Sequence, residues 1–207
     1  MSILTKLACM QDRRDTEPNQ ILARELVEKQ NSTGIREIAE NLWNKDKNIQ
    51  SDCASVLEEV GHLVPELIED YVSDFLKLLP SKNNRLVWGG MILLAMVADR
   101  KPAEIFDHRD EIIKAIETGS VITQDNGIKT LAIVASTKKT YNEALFPFLI
   151  THLRNCRPKS VPQYAESIAR AVTPENQASY IAVLNQRFDT LSPAQKKRVR
   201  KLLRRLE

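Results

Sequence analysis

Glycine is scarce in this chain, at six of 207 residues, and proline is held to nine. That disfavours turn-rich all-β folds, collagen-like sequence and long disordered linkers, all of which use more of both. Cysteine is scarcer still. Cys9, Cys53 and Cys156 are far apart and odd in number, so they cannot build a disulfide framework. They form no Cys-x-x-Cys, and none has a histidine at metal-ligand spacing. No metal site is expected, and the thiols read as reduced ones in a cytoplasmic protein. His62, His108 and His152 are equally isolated. There is no G-x-G-x-x-G, P-loop, H-E-x-x-H or G-x-S-x-G, which removes the common cofactor-binding and hydrolytic signatures. Gly89-Gly90 sits inside an apolar helical pattern and is no phosphate loop.

Long hydrophobic runs are missing too. The longest candidate, Met91 to Ala98, is less than half the roughly 20 residues that span a bilayer, so no membrane partner is expected. Leu7-Ala8 before Cys9 imitates a lipoprotein cleavage site, but neither a charged leader nor an apolar core precedes it. An ordinary amphipathic or frayed terminus is expected there. The net charge of +3 names no partner by itself.

What the chain has is a repeat. Cys53, Leu57, Val60 and Gly61 recur 37 residues later as Gly90, Leu94, Val97 and Ala98, and again as Gly127, Leu131, Val134 and Ala135. Small, large, large, small at i, i+4, i+7 and i+8 is one face of a helix. Phe75, Leu76 and Leu79 recur as Ile112, Ile113 and Ile116, then as Leu149, Ile150 and Leu153. Each unit therefore holds two amphipathic helices. Glycine inside a helix costs roughly 1 kcal/mol against alanine, so its recurrence predicts close helix–helix approach.

The spacing predicts helices over about 18–30, 33–45, 48–62, 65–79, 84–99, 102–118, 122–136, 141–156, 161–172, 174–190 and 193–206. Stops fall at Leu79-Pro80, Gly119-Ser120 and Arg157-Pro158. Ser160-Val-Pro-Gln163 and Ser192-Pro-Ala-Gln195 read as capping boxes, and Thr173-Pro174 as a further start.

Paired helices at this period resemble HEAT repeats and the related armadillo class. The register is good over residues 48–156 and looser over 18–45 and 158–191. Asp99-Arg100 matches the aspartate–arginine pair common near the HEAT turn, although the other units do not repeat it. The resemblance implies an all-α, right-handed α-α superhelix of about five helix pairs plus a C-terminal helix. As one repeat domain it would comprise 18–45, 48–80, 84–119, 121–157 and 160–191, followed by a terminal basic helix at 193–206. It also implies a non-enzymatic scaffold or adaptor, with no cofactor, that binds a protein on a concave face lined by second helices.

Polar positions on those second helices repeat as well. Asp70 maps to Asp107, Tyr71 to His108, Asp74 to Glu111 and Lys77 to Lys114. They form either a partner-reading ridge or a solvated face with intrahelical ion pairs. The C-terminus gathers Lys196, Lys197, Arg198, Arg200, Lys201, Arg204 and Arg205. Residues 196–207 thus carry +6 and the rest of the chain −3. Val199, Leu202, Leu203 and Leu206 make an apolar stripe beside those cations, so the segment is either a docked capping helix or a patch for nucleic acid or an acidic partner. A further alternative borrows from HEAT-like DNA glycosylases, which hold a damaged nucleotide with aromatic residues and an aspartate. Here Trp43, or Trp88 with Asp99 or Asp125, would imitate that arrangement.

Overall fold

A computed structural model describes residues 2–206. Among them are twelve α-helices joined by short 3₁₀ turns, with no strand. The helices are α1 (Glu17–Glu28), α2 (Ser32–Glu40), α3 (Lys47–Leu63), α4 (Val72–Leu78), α5 (Asn84–Val97), α6 (Pro102–Asp107), α7 (Arg109–Thr118), α8 (Val121–Thr137), α9 (Lys139–Asn155), α10 (Val161–Ile168), α11 (Gln177–Phe188) and α12 (Pro193–Leu203). The chain forms two compact units, Met1–Asn126 and Gly127–Glu207, and the divide falls within α8.

In the N-terminal unit, α3 packs against α1 on one side and α5 on the other, and α4 packs against α5. The repeating faces are the buried ones. Cys53, Leu57, Val60, Leu94, Val97 and Ala98 are fully buried. So are Phe75, Ile112 and Ile116, while Ile113 is only half-buried. Gly90 has the role its recurrence predicts. A Cβ there would lie 2.8 Å from the Phe75 carbonyl oxygen and 2.9 Å from the Leu78 Cβ, so α4 and α5 meet backbone to backbone. At Gly89, one residue earlier, a Cβ would meet only the Ala54 Cβ at 3.8 Å, an ordinary contact.

The second helices differ from the expectation. The 65–79 segment is two 3₁₀ turns, Pro65–Leu67 and Glu69–Tyr71, followed by α4. The 102–118 segment is broken into α6 and α7 at His108. The breaks fall 37 residues apart, at Tyr71 (φ −101°, ψ 16°) and His108 (φ −102°, ψ 18°). The repeat thus extends to the backbone, and each of these units has three parts: a first helix, a short turn of helix and a second helix. Arg100 bonds Glu66 and Glu69, and Lys101 pairs with Asp70 at 2.8 Å, which ties the first break to the next repeat.

The residues before α1 were expected to be an ordinary amphipathic or frayed terminus. They form two 3₁₀ turns, Ile3–Lys6 and Ala8–Gln11, with Leu7 fully buried and the Asn19 side chain accepting from the Ala8 amide.

In the C-terminal unit, α11 packs on α9 and α12, and α10 packs on α9 and α12. Arg187 on α11 donates to the carbonyl oxygens of Arg154 and Cys156, satisfying groups that the end of α9 leaves free. Asn142 is buried, donates to the Ala135 and Ala171 carbonyls and accepts from Asn176, which pins the 171–176 segment onto α9. This polar tie explains a shortfall. The helix expected from Thr173-Pro174 begins only at Gln177, because the Asn176 side chain first accepts from the Thr173 amide. Ser192 and Gln195 form the expected capping box of α12. Ser160 does not cap α10, because its hydroxyl accepts from Arg157 at 2.8 Å.

Candidate functional site

The repeated polar positions of the second helices lie on the surface of the N-terminal unit. The Asp70 side chain is 84% exposed and reaches Lys101. Asp74 pairs with Lys77 at 3.0 Å, and the His108 Nδ1 lies 2.9 Å from Glu111. Tyr71 is half-buried, and Asp107 and Lys114 are exposed. Glu111 and Lys114 share the wall of a cavity of about 330 Å³ with Ala115 and Pro80. Apart from that cavity the set is a solvated ridge crossed by surface ion pairs, each worth about 1 kcal/mol or less.

In the C-terminal unit, α12 buries Val199 and Leu202, so its apolar stripe is docked. Arg198, Lys196 and Arg200 have partners among the described residues of the unit. Arg198 grips Glu166 with two hydrogen bonds of 2.9 and 2.6 Å. Lys196 and Arg200 lie over the Phe188 ring at 5.2 and 5.1 Å. Lys197, Lys201, Arg204 and Arg205 are exposed. The Arg198 bond, with Lys201 and Arg205 adding to it, holds the Glu166 carboxyl below the usual carboxylate range.

Sequence reasoning missed the main concavity of the N-terminal unit, which runs over the first helices. Two cavities of about 340 and 650 Å³ share Thr16, Lys47, Ser51, Asn83 and Arg85 and so form one groove across α1, α3 and α5. Its floor is made of small side chains, Ser51, Ala54 and Ser55 on α3 and Gly89 on α5, which leave room above them. Trp88 lines only the smaller cavity, together with Glu58, Glu59 and His62. Arg13, Arg14, Asp12 and Asp52 line only the larger one. The Trp88 pocket therefore takes its carboxylates from Glu58 and Glu59, and neither Asp99 nor Asp125 lines it. Trp43 lies elsewhere, 46% exposed in the turn after α2. The available signal was the phase of Ser51, Ala54 and Ser55 on α3, small residues that lie with Glu58 on a face the packing pattern leaves outward.

Burial sets the character of this groove. It raises the Glu58 pKa, Glu59 raises it further, and His62, 4.0 Å away, opposes them. Glu58 is thus a partly desolvated acid beside a second acid. Cys9, in the larger cavity, is a free thiol whose pKa burial and Asp52 push up to about 12. Burial also pushes Cys53 up to about 12 and raises Cys156. None of the three is an activated nucleophile. The C-terminal unit has its own cavity, of about 700 Å³, where the start of α9 meets the 170–176 segment. Phe146, Pro147 and Val172 supply its apolar lining, and Lys138, Lys139 and Arg170 its cations. Among the described residues no cluster of three metal-ligating side chains occurs, and no helix is long and apolar enough to cross a membrane.

No protein-family model matches the chain, and no curated protein does. Solved structures do match. An engineered protein aligns over 100% of this chain and 97% of its own, with 18% identity and a TM-score of 0.68. A designed armadillo repeat protein in complex with the peptide (KR)4 aligns over 99% of this chain and 91% of its own, with 12% identity and a TM-score of 0.74. The karyopherin Kap121p, bound to the SUMO protease Ulp1p, matches 97% of this chain with 22% of its own length, 12% identity and a TM-score of 0.68. The fold is an all-α helical repeat of the HEAT/armadillo class. Within this HEAT/armadillo-like repeat, the groove belongs to the first helices of successive repeats and the ion-paired ridge to the second.

Proposed function

We propose that this chain is a non-enzymatic protein-binding module, one continuous helical-repeat array that seats an extended segment of a partner in the groove over α1, α3 and α5. The observation that carries the reading is the groove itself. Two cavities sharing five residues offer a continuous concavity, floored by small side chains and walled by an indole, of the kind that seats a peptide. The peptide seen on a designed armadillo neighbour, and the proteins seen on the karyopherin, support the same class of ligand. A cytoplasmic location fits three reduced thiols. The ridge from Asp70 to Lys114 would then be a secondary contact surface.

Filling the groove tests the reading. Peptides selected from a displayed random library on the whole chain should lose binding to Ala54→Arg, whose side chain would occupy the floor, and keep binding to Lys114→Glu on the ridge. Peptides indifferent to Ala54→Arg would refute the groove as the site.

A second reading is favoured by the exposed face of Lys197, Lys201, Arg204 and Arg205, which suits phosphate backbones. It predicts DNA or RNA binding that falls steeply with added salt and disappears when these four residues become glutamine. No binding at low salt would dismiss it.

A further inference from the structure

The groove is lined by both signs of charge, and its far end by carboxylates. Its shared stretch carries Lys47 and Arg85, the larger cavity adds Arg13 and Arg14 balanced by Asp12, Asp15 and Asp52, and the far end of the smaller cavity carries Glu58 and Glu59 beside Trp88. The far end is the unusual part. Glu58 is more than half withdrawn from solvent, with its side chain 40% exposed. The charges that act on it are His62, in its favour, and Glu59, against it. Lys47 and Arg85 line the same cavity, yet neither is among the groups that act on the Glu58 carboxylate. A pocket of about 340 Å³ thus sets two carboxylates, one of them partly desolvated, beside an indole wall and a floor of the small residues Ala54 and Gly89.

Resting on the reading of the groove as a peptide seat, we propose that the Trp88 pocket takes the guanidinium of a partner's arginine, laid against the indole and held by the Glu58 and Glu59 carboxylates. The volume holds one long side chain with its backbone outside. A flat, weakly hydrated guanidinium both stacks on an aromatic face and forks onto carboxylates, whereas an ammonium is a compact, strongly hydrated point charge. A phosphate chain in the same pocket would meet two carboxylates, which selects a protein partner over a nucleic acid at this end. Glu58 would gain a permanent cation beside His62, which offsets part of the cost of its burial.

Peptides selected on the whole chain supply the probe. In those lost to Ala54→Arg, one arginine should prove indispensable. Citrulline, its uncharged isostere, should weaken binding by roughly tenfold, and lysine by less. Glu58→Gln should weaken the arginine peptide to a similar degree and the citrulline peptide hardly at all, because the two changes remove the same contact. Trp88→Leu should act on the same residue of the peptide. Equal thermal midpoints for wild type and Glu58→Gln would exclude a folding artefact. Peptides that need the groove but tolerate citrulline, or tolerate Glu58→Gln, would overturn the arginine assignment while leaving the peptide seat intact. Peptides indifferent to Ala54→Arg would overturn the seat itself. Single-stranded DNA displacing the peptide from this pocket would overturn both in favour of a nucleic-acid groove.

Discussion

The segment 102–118 in the N-terminal unit and α9 in the C-terminal unit occupy equivalent places, 37 residues apart, and are built differently. The first is cut at His108 into α6 and α7. The second runs unbroken from Lys139 to Asn155 and does so through Pro147, a residue that removes one hydrogen bond from the helix interior. At the position of the cut, Asp107-His108 are exposed, whereas the equivalent Ala144-Leu145 place a fully buried leucine. Aspartate and histidine rank below alanine and leucine as helix formers, and an exposed pair gains no burial to offset that. In α9 the buried leucine holds the axis where the other unit lets it turn. The repeating apolar positions therefore fix which faces pack, while two neighbouring side chains decide whether the second helix is one piece or two.

Exchanging the two dipeptides tests this most severely. Ala144→Asp with Leu145→His would remove a fully buried leucine and should cost about 4 kcal/mol by denaturant unfolding, at the high end for such truncations. An effect near zero would show that Leu145 does not hold α9 together. Next in size is the close approach of α4 and α5. Gly90→Val puts two methyls where a Cβ already overlaps the Phe75 carbonyl oxygen and should cost about 3 kcal/mol. Gly89→Ala, one residue away, where the new Cβ makes only an ordinary contact with Ala54, should instead add up to about 1 kcal/mol. The reverse exchange, Asp107→Ala with His108→Leu, should fuse α6 and α7, raise the helical circular dichroism and add about 0.5 kcal/mol. Smallest is Arg198→Ala, which removes a half-exposed ion pair and should cost under about 0.5 kcal/mol near pH 7. Because Glu166 titrates lower when folded, that contribution is present above the ordinary carboxylate range and is lost as pH falls through the lowered value. Wild type and variant should therefore converge in acid.

The packing was legible because burial repeats with the period. Cys53, Gly90, Leu57 and Leu94 were identifiable as interior from spacing alone, and the Ser192 cap from its glutamine partner three residues on. The breaks at Tyr71 and His108 were not legible, because a helix-face pattern survives a single turned peptide. Nor was the late start of α11, which depends on Asn142 reaching from another helix. The ridge from Asp70 to Lys114 was found because it repeats. The groove was overlooked because its floor is defined by what the side chains lack, and small outward residues give no apolar signal. Glu58 and Trp88 are 30 residues apart and lie on different helices, so only packing brings them to one pocket.

The three thiols give the molecule two internal clocks. Cys53 lies at the centre of the N-terminal unit, and Cys156 closes α9 in the C-terminal unit. Burial shuts Cys53 away, so it can be alkylated at an appreciable rate only when its surroundings open, and half-buried Cys156 should react faster as its own surroundings open. Pulsed labelling followed by peptide mapping should therefore read the opening of each unit separately in one unmodified protein. If the two clocks keep the same rate under mild denaturant, the array melts as one. If they diverge, the faster one identifies the unit that opens first.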